Sequence, residues 1–500
     1  MLRTSSYTIY VDLPGNTEEM LLVHGYTGAY DRISRRAATF VRSLERRRPP
    51  KPLYGDWSPE PSADGQVTSP SDATVEALKR RGYLTEMSPE EEEAHFVQLA
   101  NDLHERAVHK MPSYIFMPTY DCNLRCAYCF QDHMRTDSGF THLLRTIQPA
   151  MVDRIFAALP QIEAMHGIEG EGPRHRNIGF FGGEPLLKAS RPIVQYIIEK
   201  AHSMGTAEFW AVSNATELEA YRDLLGPDGI TSVQITLDGP PEEHDKRRIR
   251  ADGSGTYQKI AENISLALEQ GISVSVRLNI DRHNILQLPI LAADFQARGW
   301  HQKTNFSAYV APLRAENKKT DARTTFDTWE LDQSLAEMQE ADPDLRIFGR
   351  ADDGIKRNAR KIFAKSRAAI SSYRESFCSA HTRMYIFDAF ADIYACWERT
   401  GDAKVRIGHV DAAGEVSLNT TVNTLWRSRT VVSNPACRKC RYALSCGGGC
   451  AVLAVGKTGH FNSNFCDGYA SRFRSNVAEA YLDHTRGVPS EMRGEKVCDQ

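Results

Sequence analysis

Cys122, Cys126 and Cys129 lie in one short stretch with the spacing C-x3-C-x2-C. Thiolates are the ligands of iron–sulfur clusters, and three from one loop can hold three irons of a cubane. The fourth iron then has no protein ligand and is open to bind and reduce something else. Zinc is the competing reading, but zinc sites usually show four ligands in paired spacing. The stretch runs Tyr120-Asp121-Cys122-Asn123-Leu124-Arg125-Cys126-Ala127-Tyr128-Cys129-Phe130, directly after an apolar run at Tyr114–Met117.

The other cysteines are also grouped. Of the 11 in the chain, none precedes Cys122, seven fall between Cys378 and Cys466, and Cys498 stands apart. No apolar run reaches the ~18 residues of a membrane span. The opening MLRTSSYTIYVDLPG lacks the apolar core of a signal peptide. A cytoplasmic protein is expected, where thiols stay reduced and clustered cysteines read as metal ligands before disulfides. The chain has 500 residues, 41% hydrophobic and 25% charged, with net charge −3. That balance favours neither nucleic acid nor an anionic membrane as partner.

Elements must hold these groups in place. Strand-like runs at Tyr114–Met117, Ile178–Phe181, Phe209–Val212, Val233–Leu237, Val274–Ile280 and Phe306–Val310 alternate with amphipathic segments such as Met151–Leu159, Ile193–Ala201 and Tyr257–Leu268. Six such units predict an α/β fold, a partial parallel (β/α)6 barrel with its chemistry at the C-terminal strand ends. Before it, Thr8–Leu13, a Pro14-Gly15-Asn16 turn and Met20–His24 predict a hairpin. A helix follows on Ala37, Phe40, Val41 and Leu44, another covers Thr74–Leu84, and Ser88 with Glu91 forms a capping box. Arg46–Pro52 and Ser58–Asp72 read as a flexible loop. The expected division is 1–110, an N-terminal α+β domain; 111–314, the barrel; 315–376, a charged helical bridge; 377–470, a cysteine-rich domain; and 471–500, a C-terminal helix and tail.

Cys122-x3-Cys126-x2-Cys129 resembles the signature of the radical S-adenosylmethionine (SAM) superfamily, and the next strand ends agree. Gly182-Gly183-Glu184-Pro185 ends the second strand, Ser213-Asn214-Ala215-Thr216 the third and Leu237-Asp238-Gly239-Pro240 the fourth. The resemblance implies a catalytic [4Fe-4S] cluster whose open iron takes SAM and cleaves it to a 5′-deoxyadenosyl radical. By position, Gly182, Gly183, Glu184 and Pro185 would hold the methionyl amine, and Ser213 and Asn214 the ribose. Asp238 would belong to the same cofactor site, Arg277 would reach the SAM carboxylate, and Tyr128 would pack near adenine.

Downstream, Cys437-x2-Cys440-x5-Cys446-x3-Cys450 and then Cys466, with Cys378 and Cys396 upstream, resemble a SPASM domain, the cysteine-rich extension of peptide-modifying radical SAM enzymes. The resemblance implies two auxiliary iron–sulfur clusters: one on Cys437, Cys440, Cys446 and Cys466, the other on Cys378, Cys396 and Cys450. A fourth ligand for the second set is missing; His381, Asp392 and Cys498 are the candidates. The family usually has glycine five residues before the second upstream cysteine, where this chain has Ala391. A zinc ribbon or a non-catalytic electron-transfer protein would use the same cysteines. Gly456-Lys457-Thr458 is no P-loop, because Ala451 stands at the first required glycine.

What the family resemblance implies for substrate is a ribosomally synthesised precursor peptide, crosslinked by an oxidative step, with flavodoxin or ferredoxin as electron donor. Residues 7–84 resemble the winged-helix domain that binds leader peptides by adding a strand at a sheet edge. The alternative is the sulfatase-maturing branch, where an aspartate acting as base directly follows the second upstream cysteine. Here Trp397 and then Glu398 follow Cys396.

Overall fold

The computed structural model describes residues 1–45, 69–170, 172–317, 319–350, 353–366 and 368–487. Residues 46–68 of the expected loop, and Cys498, lie outside them. The chain opens with β1 (Thr8–Asp12), β2 (Glu19–His24) and β3 (Tyr30–Ser34) in an antiparallel sheet. The helices α1 (Arg35–Ser43), α2 (Asp72–Arg80) and α3 (Pro89–Val108) follow. Ser88 N–H donates to Glu91 Oε2 at 2.7 Å and Glu91 N–H to Ser88 Oγ at 3.1 Å, which is the expected capping box.

All six barrel strands are present, with α-helices in the crossovers between them except from the third strand to the fourth, where Leu218–Leu224 is a 3-10 segment. They are β4 (Ser113–Phe116), α4 (Pro149–Met165), β5 (Arg174–Phe180), α5 (Arg191–Ser203), β6 (Gly205–Ser213), β7 (Ile230–Leu237), α6 (Tyr257–Glu269), β8 (Ser273–Ile280), α7 (Leu288–Ala297) and β9 (Phe306–Pro312). Neighbours in sequence pair in parallel, for example Ile178 with Phe209 and Val274 with Phe306. Along β8, buried Val274, Val276, Leu278 and Ile280 alternate with less buried residues, so one face packs inward.

Further along come α8 (Thr328–Ala341), α9 (Asp353–Phe363), β10 (Met384–Phe387), β11 (Asp392–Tyr394), β12 (Gly408–Val410), β13 (Val416–Leu418) and α10 (Tyr469–Thr485). The sequence shows no strand in the last third of the chain, yet β10 pairs in parallel with β4, Tyr385 opposite Tyr114. Strands β11 to β13 continue that edge antiparallel and Phe348–Gly349 pairs with β9 at the other, making one 11-stranded sheet. A four-residue run buried along its whole length carries no alternation, and its partner lies far back in the chain.

Two compact units result. One comprises the described residues within Met1–Ala107, Asp352–His381 and Ser428–Arg493; the other, those within Val108–Ala351 and Thr382–Arg427. In the first, Ile9, Val11, Leu21 and Val23 of the opening hairpin share a core with Ala359, Tyr442, Phe473 and Val477. Tyr7, Tyr26 and Phe96 share another with Val431, Cys437 and Leu444. The second unit contains the barrel and its sheet extension.

Candidate functional site

The loop carrying Cys122, Cys126 and Cys129 leaves β4 and is pinned from two sides. Arg125 N–H donates to Ile249 O at 2.8 Å, and Leu124 bridges Arg250. On the other side Gly183 N–H donates to Thr119 O at 3.1 Å and Glu184 N–H to Asp121 O at 2.8 Å. A Cβ on Gly182 would stand 2.5 Å from Thr119 O, and one on Gly183 2.1 Å from Asp121 O. The two glycines therefore let β5's end press against the cysteine loop itself.

Glu184 is the buried centre of the strand ends. Its Oε1 accepts from the Ser213 hydroxyl at 2.7 Å and Leu186 N–H at 2.9 Å, and its Oε2 from Asn214 N–H at 2.6 Å. Burial nevertheless pushes its carboxyl up to about 7 against those three donors. The Asn214 side-chain amide points to Cys122 Sγ at 3.7 Å and donates to Asn123 Oδ1 at 2.9 Å. Cys122, Glu184, Ser213 and Asn214 are thus brought together, with Pro185 buried beside them. Ala215 follows in the left-handed region at φ 59°, where the chain turns sharply off β6.

Tyr128 and Asp238 meet directly. The Tyr128 hydroxyl donates to Asp238 and accepts from Arg248 Nη1 at 2.6 Å and Asn279 Nδ2 at 3.3 Å. Arg277 joins this network through Asn279 Oδ1 at 3.0 Å. Sequence reasoning gave neither Arg248 nor Arg135 a role at the site. Arg248 is buried, carries an Nε–H with no hydrogen-bond acceptor among the described residues, and acts electrostatically on Cys126. Arg135 donates to Cys129 Sγ at 3.3 Å and to Tyr120 O at 3.1 Å, tying both ends of the loop. The only signal for either is its place after a motif, Cys129 or Asp238-Gly239-Pro240.

Burial pushes the Cys122 thiol up to about 12, helped by the Glu184 carboxyl, and the Cys126 thiol up to about 11, opposed by Arg248. Buried thiols of this kind ionise when a metal supplies the positive charge. Among the described residues no three His, Cys, Asp or Glu side chains close on a single ion. A cluster is wider than an ion, because its thiolates sit on different irons.

The other unit carries Cys378, Cys437, Cys440, Cys446, Cys450 and Cys466. Cys437 feels the charges of Cys440 and Cys466, and Cys446 those of Cys440 and Cys437. Cys378 feels Cys450. Three successive glycines, Gly447, Gly448 and Gly449, all have φ between 75° and 83° and carry the chain tightly between the sets. A Cβ on Gly449 would lie 2.2 Å from Phe465 O. Cys396 belongs to the barrel unit, just after β11. The Trp397 ring beside it stacks on Phe181 at 5.3 Å, and Glu398 pairs with Arg314 at 2.9 Å. Asp392 is paired with Arg406 at 2.7 Å, which occupies one of the candidate fourth ligands.

Residues 116–284 match the radical SAM superfamily. A cysteine-type anaerobic sulfatase-maturating enzyme of Clostridium novyi (strain NT) is 23% identical over 389 residues, covering 72% of this chain and 93% of that protein. A GTP 3′,8-cyclase of Rhodococcus opacus (strain B4) is 28% identical over 134 residues, 27% of this chain and 34% of that one. The solved structure of native anSMEcpe with bound AdoMet superposes with a TM-score of 0.53 at 16% identity, over 75% of this chain and 98% of that one. With the C-x3-C-x2-C loop at the head of the parallel strands, these matches identify residues 116–284 as a radical SAM domain and give the chain the fold of anSMEcpe.

Proposed function

We propose that this radical SAM enzyme oxidatively modifies a ribosomally made precursor peptide, crosslinking one of its side chains. The observation that carries the reading is Glu184: a buried carboxylate fixed by Ser213, Asn214 and Leu186, one amide away from Cys122. In that position it receives the ammonium group of SAM while Cys122, Cys126 and Cys129 hold the [4Fe-4S] cluster. A bound ammonium also holds Glu184 ionised against its burial. Bound there, cluster and SAM would supply radical hydrogen abstraction, and the protein positions and shields the reacting groups. Tyr128, Asp238 and Asn279 shape the pocket, with Arg248 as the buried positive charge and Arg277 behind Asn279. Cys437, Cys440, Cys446 and Cys466, and separately Cys378 and Cys450, would hold auxiliary clusters, which would supply electron-accepting chemistry. Flavodoxin or ferredoxin is the reductant of the first cluster.

The peptide reading draws support from the solved anSMEcpe complex with AdoMet and the Cp18Cys peptide, TM-score 0.51 at 15% identity. In the N-terminal sheet, β3 is an edge strand with Asp31 and Arg32 partly exposed, and we assign the leader to that edge. The Clostridium novyi relative favours a second reading, formylglycine formation in a sulfatase. Against it, the position after Cys396 holds a tryptophan stacked on Phe181, and Glu398 is engaged by Arg314.

Anaerobic incubation with SAM, dithionite and synthetic cysteine-containing peptides tests both readings. Crosslinking gives deoxyadenosine and a peptide lighter by two hydrogens that does not react with a hydrazide probe. A hydrazide-reactive aldehyde would establish the sulfatase-type reaction instead, and no deoxyadenosine would defeat both. Arg32→Pro in β3 is expected to weaken peptide binding at least about tenfold while peptide-independent SAM cleavage persists.

A further inference from the structure

Arg429 stands among the cysteines of the N- and C-terminal unit and belongs to none of the motifs. It is 4% exposed. Its Nε donates to Phe461 O, its Nη1 to Gly449 O and its Nη2 to Ser463 O, each at 2.9 Å. All three acceptors are neutral backbone carbonyls, and among the described residues no carboxylate pairs with it. A guanidinium withdrawn from water without an anion is costly, and one with its partner built in is not. The groups that would act on it as anions, once a metal holds them as thiolates, are Cys437, Cys450, Cys378 and Cys446, two from each auxiliary set.

We propose that Arg429 is a positioning residue that serves as the shared countercharge of both auxiliary clusters. This rests on the reading that those cysteines hold iron–sulfur clusters. The donor chemistry fits: thiolate-ligated clusters are anionic, and each gains a further negative charge on reduction. A fixed cation in a low-dielectric setting stabilises the more negative state, so Arg429 raises the reduction potential of both clusters and favours their acceptance of substrate electrons. The three carbonyl bonds serve to aim the charge. They hold the plane of the guanidinium between Gly449 and the Phe461–Ser463 loop, so it cannot swing to solvent as a lysine would. Arg374, the other cation acting on Cys378, is partly exposed, and water screens it.

The test uses the full chain in a Cys122→Ala/Cys126→Ala/Cys129→Ala background, where every remaining cluster signal is auxiliary. Iron and acid-labile sulfide are counted, and the clusters are titrated by paramagnetic resonance, for Arg429 and for R429Q and R429K. The proposal expects R429Q to shift the auxiliary potentials to more negative values, with R429K between R429Q and the parent. If R429Q cannot retain its clusters, fuller retention by R429K supports the charge role. Unchanged potentials in R429Q, or equal loss of clusters from both variants, would overturn it, leaving Arg429 a staple between loops. Absence of iron from the parent background would instead refute the auxiliary clusters themselves.

Discussion

At the scale of single residues, the site is a set of buried charges whose partners come with the cofactors. Glu184→Gln is expected to weaken SAM binding about 10–100-fold, the worth of a hydrogen bond to a charged group at about 1.5–3 kcal/mol. Iron content should stay at the parent level, since Glu184 ligates nothing; equilibrium binding of SAM under anaerobic conditions reads the effect. Asp388 gives a pH prediction away from the cysteines. Its carboxyl accepts from the Tyr120 hydroxyl at 2.9 Å and from the N–H groups of Phe390 and Asp392, but burial pushes it up to about 7. The folded state then binds its proton more tightly than the unfolded chain does, where aspartate titrates near ~3.9. Stability from this group is complete below about pH 4 and is lost as pH rises to 7. Melting curves of Asp388→Asn should lack that part of the decline; an identical pH dependence in both proteins would contradict it.

Among elements, the turn from β10 to β11 shows how a sequence anomaly becomes physical. The glycine that the family usually places five residues before the second upstream cysteine is Ala391 here, and Ala391 sits at φ 59°. A side chain in the left-handed region costs about 1–2 kcal/mol, partly offset in glycine by the entropy it loses on folding. Ala391→Gly should therefore stabilise the barrel unit by about 0.5–1 kcal/mol, visible as a raised melting midpoint. The six barrel strands, the hairpin and the Ser88 cap were legible because each has a local signature: a period, a turn or a spaced pair. The loop cysteines and the GGEP glycines were legible for the same reason, though what the glycines approach is Thr119 and Asp121. Arg135, Arg248 and Arg429 were not, since an arginine becomes part of a site only through what folding brings beside it. Strand β10 escaped notice likewise, its four residues being defined by pairing with β4.

For the whole molecule, the division into units governs which clusters can be lost separately. Cys122→Ala/Cys126→Ala/Cys129→Ala should remove about one cubane's worth of iron and all SAM cleavage, while iron on Cys437, Cys440, Cys446 and Cys466 remains in its own core. Deleting residues 1–45 touches no cysteine, yet it strips Ile9, Val11 and Tyr7 from the cores that support Cys437 and Tyr442. The deletion should release auxiliary iron as well as abolish leader binding; full iron retention would show that the hairpin is dispensable to that core. The same sharing of cores sets a timetable for biosynthesis. The hairpin is made more than 400 residues before Phe473 and Val477, which complete its hydrophobic face. At about 5–20 residues per second, that face waits on the order of tens of seconds on the ribosome, while the barrel emerges behind it and can fold. Chaperone capture of the nascent chain, strongest before residue 473 is translated and released by synthesis of α10, is the behaviour this architecture demands.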